Sequence, residues 1–309
     1  MKRSLISILA VVLITIFGAS ACQSAAAVPT LDPGKPTIVV TYSILGSLVK
    51  ELAADQANVI VLMPNGQDPH EWEPSARDIE TLTHADMIIQ NGLNLEGGME
   101  KALAQAEDAG VKHFVAADHI TIRAVGEGEG IPNGDPDQTI GAQDPHLWTD
   151  PQTMKQVVDA LAVSLKAELN LDVSSNAAAL DQKLDTLDQE IAAEVNTLPA
   201  DQRKLVTGHE SMGYFAQRYG FKLVGAIIPS LNDQAEASAS DMASLVKLVQ
   251  QNQVKAIFTE VGTPANVAET IGKDTGAKVV ELTTHMLPEN GDYFDFMHAL
   301  ASTIVENLK

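Results

Sequence analysis

The chain has a single cysteine, Cys22, among 309 residues. A disulfide framework within one chain is therefore excluded, and no thiolates are available for a cysteine-type metal site. Aromatic residues make up 4% of the sequence, and tryptophan occurs only at Trp72 and Trp148. That poverty argues against a large apolar cleft for a bulky organic ligand such as haem. Basic residues are also scarce: 20 Lys and Arg stand against 41 Asp and Glu, for a formal net charge of −21. Such a surface repels phosphates and excludes nucleic acid as a partner. It favours solubility and draws cations weakly.

What is present begins at the N-terminus. Lys2 and Arg3 precede an apolar run from Leu5 to Phe17, followed by Gly18, Ala19, Ser20, Ala21 and Cys22. A basic start, a short apolar core and small residues at the exit make a secretory signal. The run is too short for a comfortable membrane span. Cys22 directly after the small residues resembles a bacterial lipobox, although Ala19 stands where leucine is usual. Cleavage after Ala21 with Cys22 unmodified is the alternative. Residues 1–22 are thus read as signal and lipobox, and residues 23–36, rich in Ala, Pro and Gly, as a flexible tether.

From there strand-like and helix-like segments alternate, which implies crossover connections and parallel sheets. The β-branched run 37–45 reads as a buried strand, with further strands at 58–63, 86–92 and 111–117. A second series at 204–208, 221–228, 254–260 and 277–282 repeats the architecture without a visible sequence repeat. Between the series, Leu180, Leu184, Leu187, Ile191, Val195 and Leu198 keep helical spacing, with Ser174 or Ser175 as cap and Pro199 as terminator. The expected fold is α/β. An N-terminal lobe (37–172) and a C-terminal lobe (200–309), each a parallel sheet flanked by helices, are joined by a long rigid linker helix (173–199).

Four of the eight histidines, His70, His146, His209 and His285, fall at strand-to-loop exits, where open α/β sheets place ligands. His84 and His298 fall in helical segments, and His113 and His119 in or near a strand. The pattern Asp-Pro-His-x-Trp occurs twice, at Asp68–Trp72 and Asp144–Trp148, and uses both tryptophans. An indole at that position can wall a pocket. His209 reads as the residue opening a helix after a strand, and His285 follows the last strand. Neutral imidazole suits zinc, copper, iron and nickel, whereas manganese and calcium prefer oxygen. Three or four imidazoles without thiolate point to tetrahedral Zn²⁺.

These segments resemble the metal-binding solute receptors of bacterial ABC importers, the zinc and manganese cluster, from about residue 37 to the end. The resemblance implies a receptor, not an enzyme, exported and lipid-anchored through Cys22 to the outer face of the cytoplasmic membrane, or periplasmic. It implies Zn²⁺ as cargo ahead of Mn²⁺, with His70, His146, His209 and His285 as ligands. The position of His285 is usually aspartate, so Glu281, Asp292 or water stands as an alternative fourth ligand. The implied partners are the transmembrane subunits of an ABC permease, with room for a metallochaperone, and the receptor itself is expected to be a monomer. Glu210, Glu260 and Asp68 are candidates to orient the rings. The acidic loop 126–144, with Glu127, Glu129, Asp135 and Asp137, lies where many such receptors carry histidines; its plain reading is a solvated loop.

The rival reading as a zinc hydrolase rests on His209-Glu210, but the second histidine of that helix motif would fall on Gly213. A manganese receptor of the same fold is the milder alternative. It would call for Glu281 or Asp292 at the metal.

Overall fold

Strands whose side chains are apolar on both faces form the framework. The computed structural model describes residues 31–127, 129, 139–235 and 237–309. The signal segment with Cys22, most of the tether, and Asp135 and Asp137 lie outside the described residues. Gly34–Lys309 form one compact unit.

In chain order the strands are β1 (Thr37–Val40), β2 (Asn58–Val61), β3 (Met87–Gln90), β4 (Lys112–Val115), β5 (Lys204–Thr207), β6 (Lys222–Ala226), β7 (Ala256–Thr259) and β8 (Lys278–Glu281). The helices are α1 (Ser43–Ala53), α2 (Ala76–Thr83), α3 (Glu100–Asp108), α4 (Pro151–Leu169), α5 (Ser174–Val195), α6 (Gly213–Tyr219), α7 (Ala239–Asn252), α8 (Ala265–Thr275) and α9 (Tyr293–Leu308). The first sheet is parallel in the order β2-β1-β3-β4. In the second half β5 pairs with β6 and β7 with β8, also in parallel. β5 and β7 run side by side, so the order β6-β5-β7-β8 mirrors the first sheet. The architecture is thus repeated although the sequence is not.

The period of two along each strand sorts side chains into three cores. Val39 and Ile88 face an outer layer with Leu82 of α2 and Leu103 of α3. Val206 and Ile257 face a matching outer layer with Leu245 of α7 and Ile271 of α8. Their neighbours Ile38, Val40, Ile89, Leu205 and Phe258 turn the other way, into one core shared with α1, α4, α5 and α9. The α5 helix is therefore more than a connection. It packs on α4, α9 and α1, and α9 returns from the C-terminal half to pack on α1 as well.

Several boundaries differ from the sequence reading. The first strand stops at Val40, and Ser43–Leu45 open α1 instead of extending the strand. The spacing of Leu45, Leu48, Val49 and Leu52, all buried, is helical and outweighs the β-branched run before it. Neither Ser174 nor Ser175 caps α5: both lie inside its first turn, and the Asp172 carboxylate accepts from the Ser174 amide and hydroxyl. The helix ends at Val195, ahead of Pro199. His209 opens no helix, because α6 starts only at Gly213.

Leu184 of α5 is fully buried in the shared core. Leu184→Ala is expected to lower the unfolding free energy by about 2–5 kcal/mol, measured by urea denaturation. A loss under about 0.5 kcal/mol would mean that α5 is a solvated strut.

Candidate metal centre

The four histidines expected at strand exits meet, although His146 lies far past β4, in the turn that leads into α4. His70 lies after β2, His146 between β4 and α4, His209 after β5, and His285 after β8. One ring nitrogen from each lies within 4.8 Å of the other three. His146 Nε2 is 3.3 Å from His70 Nε2 and 3.1 Å from His209 Nε2. A tetrahedral ion at about 2.0–2.1 Å from its ligands needs ligand atoms about 3.3 Å apart. The His209 and His285 rings stack at 5.1 Å. All four side chains are buried, with exposures between 0% and 3%.

The other four histidines stay apart. His84 is the C-cap of α2 and its Nδ1 faces the Glu80 carbonyl. His113 faces Gln90, His119 stacks on Phe114, and His298 sits beside Glu190. Of the alternatives to His285, Glu281 is exposed and Asp292 caps α9 by accepting from the Phe294 and Asp295 amides.

The repeated pentapeptide folds the same way twice. In each copy the aspartate accepts the amide of the histidine two residues on, Asp68 for His70 at 2.8 Å and Asp144 for His146 at 2.9 Å. The proline between them stiffens the turn. The copies then diverge. Asp144 Oδ1 also lies 2.9 Å from His146 Nδ1, which places the proton on Nδ1 and the lone pair on Nε2, facing the centre. His70 Nδ1 has no such partner among the described residues.

Each of the other two rings also has an outer partner. Glu260 Oε2 lies 2.5 Å from His209 Nδ1, and Glu260 Oε1 accepts from the Ser211 hydroxyl. His285 Nδ1 lies 2.8 Å from Thr284 Oγ1. Of the sequence candidates for this role, Glu260 orients a ring, while Asp68 holds a backbone amide. Glu210 faces a small cavity with Arg123, Glu129 and Gly213. Asp144 and Thr284 were missed as ring partners. The repeated motif could have signalled Asp144; no local pattern marks Thr284.

The surroundings lock these loops together. Trp148 packs its indole against His146 and His285 and donates Nε1–H to the Thr284 carbonyl at 2.8 Å. Trp72 is half-buried instead and packs against apolar side chains of the first half. Asn65 clamps the backbone of Leu287, donating to its carbonyl at 2.9 Å and accepting its amide at 2.8 Å. Arg123 pairs with Asp144 at 3.1 Å and with Glu129, so the acidic loop is tied to the carboxylate behind His146. Gly213 makes room for this contact: a Cβ there would sit 2.1 Å from Asp144 Oδ2.

Burial pushes His70, His146 and His285 well below the ordinary imidazole range, and the neighbouring rings add to it. Burial acts the same way on His209, but the charge and hydrogen bond of Glu260 together with the charges of Asp233 and Asp68 outweigh it and hold that ring at about 9. Burial raises Asp144 to about 6 against the opposing pull of Arg123, and raises Glu210 to about 7.

The family described as zinc-uptake complex component A, periplasmic (ZnuA), matches residues 38–307. The chain belongs to this family. Its members are solute-binding receptors of metal uptake systems, not enzymes. The chain is 29% identical to the metal ABC transporter substrate-binding lipoprotein FimA of Streptococcus parasanguinis, with 99% of each chain covered. It is 28% identical to the manganese ABC transporter substrate-binding lipoprotein PsaA of Streptococcus pneumoniae, over 99% of this chain and 98% of that one. The structure of the periplasmic zinc-binding protein TroA of Treponema pallidum superposes with a TM-score of 0.75 at 28% identity, covering 89% of this chain and 99% of TroA. The likeness to TroA extends to the α/β fold with parallel sheets flanked by helices.

Two measurements test the outer partners. Asp144→Asn and Glu260→Gln should each weaken divalent-metal binding by about 10–100-fold in a competitive chelator titration; unchanged affinity would reduce both carboxylates to packing. Glu210 carries a folded pKa of about 7, above its ordinary value, so the fold favours its protonated form and stability falls as pH rises through that range. Glu210→Gln should remove a penalty on the order of 2–3 kcal/mol at pH 8 and little at pH 5. Urea unfolding at both pH values reads the difference.

Proposed function

We propose that this chain is the extracytoplasmic receptor of an ABC importer for a divalent transition metal, with Zn²⁺ as its preferred cargo. The observation that carries the reading is the convergence of four buried imidazole nitrogens within 4.8 Å of one another, His146 standing 3.3 Å from His70 and 3.1 Å from His209, with three of the rings oriented from behind. His70, His146, His209 and His285 are the proposed ligands. Two come from each half of the chain, so an ion among them staples the halves together and its binding is linked to closure.

The family assignment supports the receptor role, and the names of its relatives support the ABC importer, whose permease and ATPase subunits would be the partners. The relatives named as lipoproteins support export and anchoring through Cys22. The choice of zinc rests on the donor set: imidazole favours zinc over manganese. PsaA, named for manganese, keeps Mn²⁺ as the alternative cargo.

The four rings are buried, a small pocket lined by His70, Gln143, Pro145, Leu231 and Asn232 leads towards them, and α5 and α9 pack in a core shared by both halves. Loading therefore proceeds by local opening of the strand-exit loops. The proton carried by His209 leaves as the ion arrives, because a ligating imidazole must be neutral.

Competitive titration with zinc and manganese should give tighter Zn²⁺ binding at one ion per chain. His70→Ala, His146→Ala, His209→Ala and His285→Ala should each lower Zn²⁺ affinity by more than the roughly 10–100-fold typical of losing an outer partner. Wild-type zinc affinity in His70→Ala would sink the proposal, and tighter Mn²⁺ binding in wild type would reverse the choice of cargo.

A further inference from the structure

A second set of buried groups abuts the four-histidine centre. One oxygen of Asp68, one oxygen of Asp233 and a ring nitrogen of His70 lie within 4.8 Å of one another. Asp68 belongs to the loop after β2 and Asp233 to the loop after β6, so the two halves of the chain meet here again. Asp68 is 7% exposed, Asp233 8% and His70 2%. Asp68 Oδ2, both carboxylate oxygens of Asp233 and His70 Nδ1 are shielded from solvent; a proton held by Asp233 joins the two carboxylates, and without one neither these oxygens nor His70 Nδ1 has a hydrogen-bond partner among the described residues. Asp68 Oδ1 is already used by the His70 amide, which leaves Oδ2 free to act.

Gly262, at φ +86°, lies against the two carboxylates. A Cβ there would sit 3.1 Å from Asp233 Oδ2 and 3.9 Å from Asp68 Oδ2. Two carboxylates buried face to face need a positive charge between them, either a shared proton or a cation. A shared proton satisfies the carboxylates only. A cation satisfies the carboxylates and a ring nitrogen of His70 together.

We propose that Asp68, Asp233 and His70 form a second cation station that takes a hard divalent ion of the Mn²⁺ class. Two carboxylates and one imidazole suit manganese(II) better than zinc, with water completing the shell. A neutral imidazole has one lone pair, so His70 ligates one ion at a time. The two stations therefore exchange an ion through a shared ring instead of holding two. This rests on the reading of His70 as a ligand of the four-histidine centre. It gives one receptor an oxygen-rich station for a hard ion beside a nitrogen-rich one for zinc.

The test follows Mn²⁺ by loss of the free-ion electron paramagnetic resonance signal, and Zn²⁺ by chelator competition, in wild type, Asp233→Asn and His209→Ala. Asp233→Asn is isosteric, and thermal unfolding of the metal-free protein checks that it folds. It should lose at least tenfold in Mn²⁺ affinity while Zn²⁺ affinity stays within threefold. His209→Ala should do the reverse, and if it fails to fold the Asp233→Asn comparison stands alone. Equal losses for both ions in Asp233→Asn would reduce Asp233 to a charge acting on the histidine centre. No change for either ion would leave a shared proton only, and absence of Mn²⁺ binding in wild type would also overturn the station. Failure of wild type to bind Zn²⁺ would instead sink the four-histidine reading.

Discussion

Four imidazoles taken out of water and turned towards one point are the constraint around which this protein is organised. Three of them are driven below their ordinary pKa by burial, so they present lone pairs and not protons. Their nitrogens are too close together to be left facing one another without a cation or a proton between them. The fourth, His209, carries that positive charge on its own because Glu260 sits against it. An ion entering this cluster would replace that charge. The acceptors behind the rings matter for the same reason: Asp144, Glu260 and Thr284 hold outer nitrogens so that the inner ones converge.

The scaffold supplies convergence by placing His70, His209 and His285 beyond the carboxyl ends of β2, β5 and β8, and His146 in the turn that leads into α4. Parallel sheets require crossovers, and crossovers bring strand exits to one edge. The four-stranded sheet of the first half and the β5-β6 and β7-β8 pairs of the second bring their loops to one cluster of rings. The shared core fixes the distance between them, because α5 and α9 pack against elements of both halves. Direct ties at the edge add to it. Asn65 on Leu287 and Trp148 on Thr284 connect loops of the first half to the loop carrying His285. Such a frame positions ligands closely and leaves movement to the loops.

The twofold Asp-Pro-His-x-Trp motif shows how a repeated sequence acquires two jobs. Both copies make the same turn through an aspartate–amide hydrogen bond. One aspartate, Asp144, reaches back to its own histidine ring and is itself held by Arg123. The other, Asp68, is left facing Asp233 from the opposite half. Likewise Trp148 walls the centre while Trp72 is spent on packing. The difference comes from what each copy meets across the fold.

By themselves, the residues determined the parallel α/β class and singled out the four histidines that the structure brings together. Continuous β-branched runs, helical spacing and turn residues act over a few positions, and those positions are adjacent in the chain. The lack of thiolate narrowed the donor set in the same way. Tertiary structure decided the rest. It began α1 at Ser43, because burying Leu45, Leu48, Val49 and Leu52 on one helical face outweighs the local preference for strand. It left His285 at the centre in place of Glu281 or Asp292, made Glu260 and not Glu210 the partner of a ring, and brought Asp233 to Asp68. Those outcomes depend on groups scores of residues apart, and no spacing along the chain encodes which of them will share a buried, water-free point.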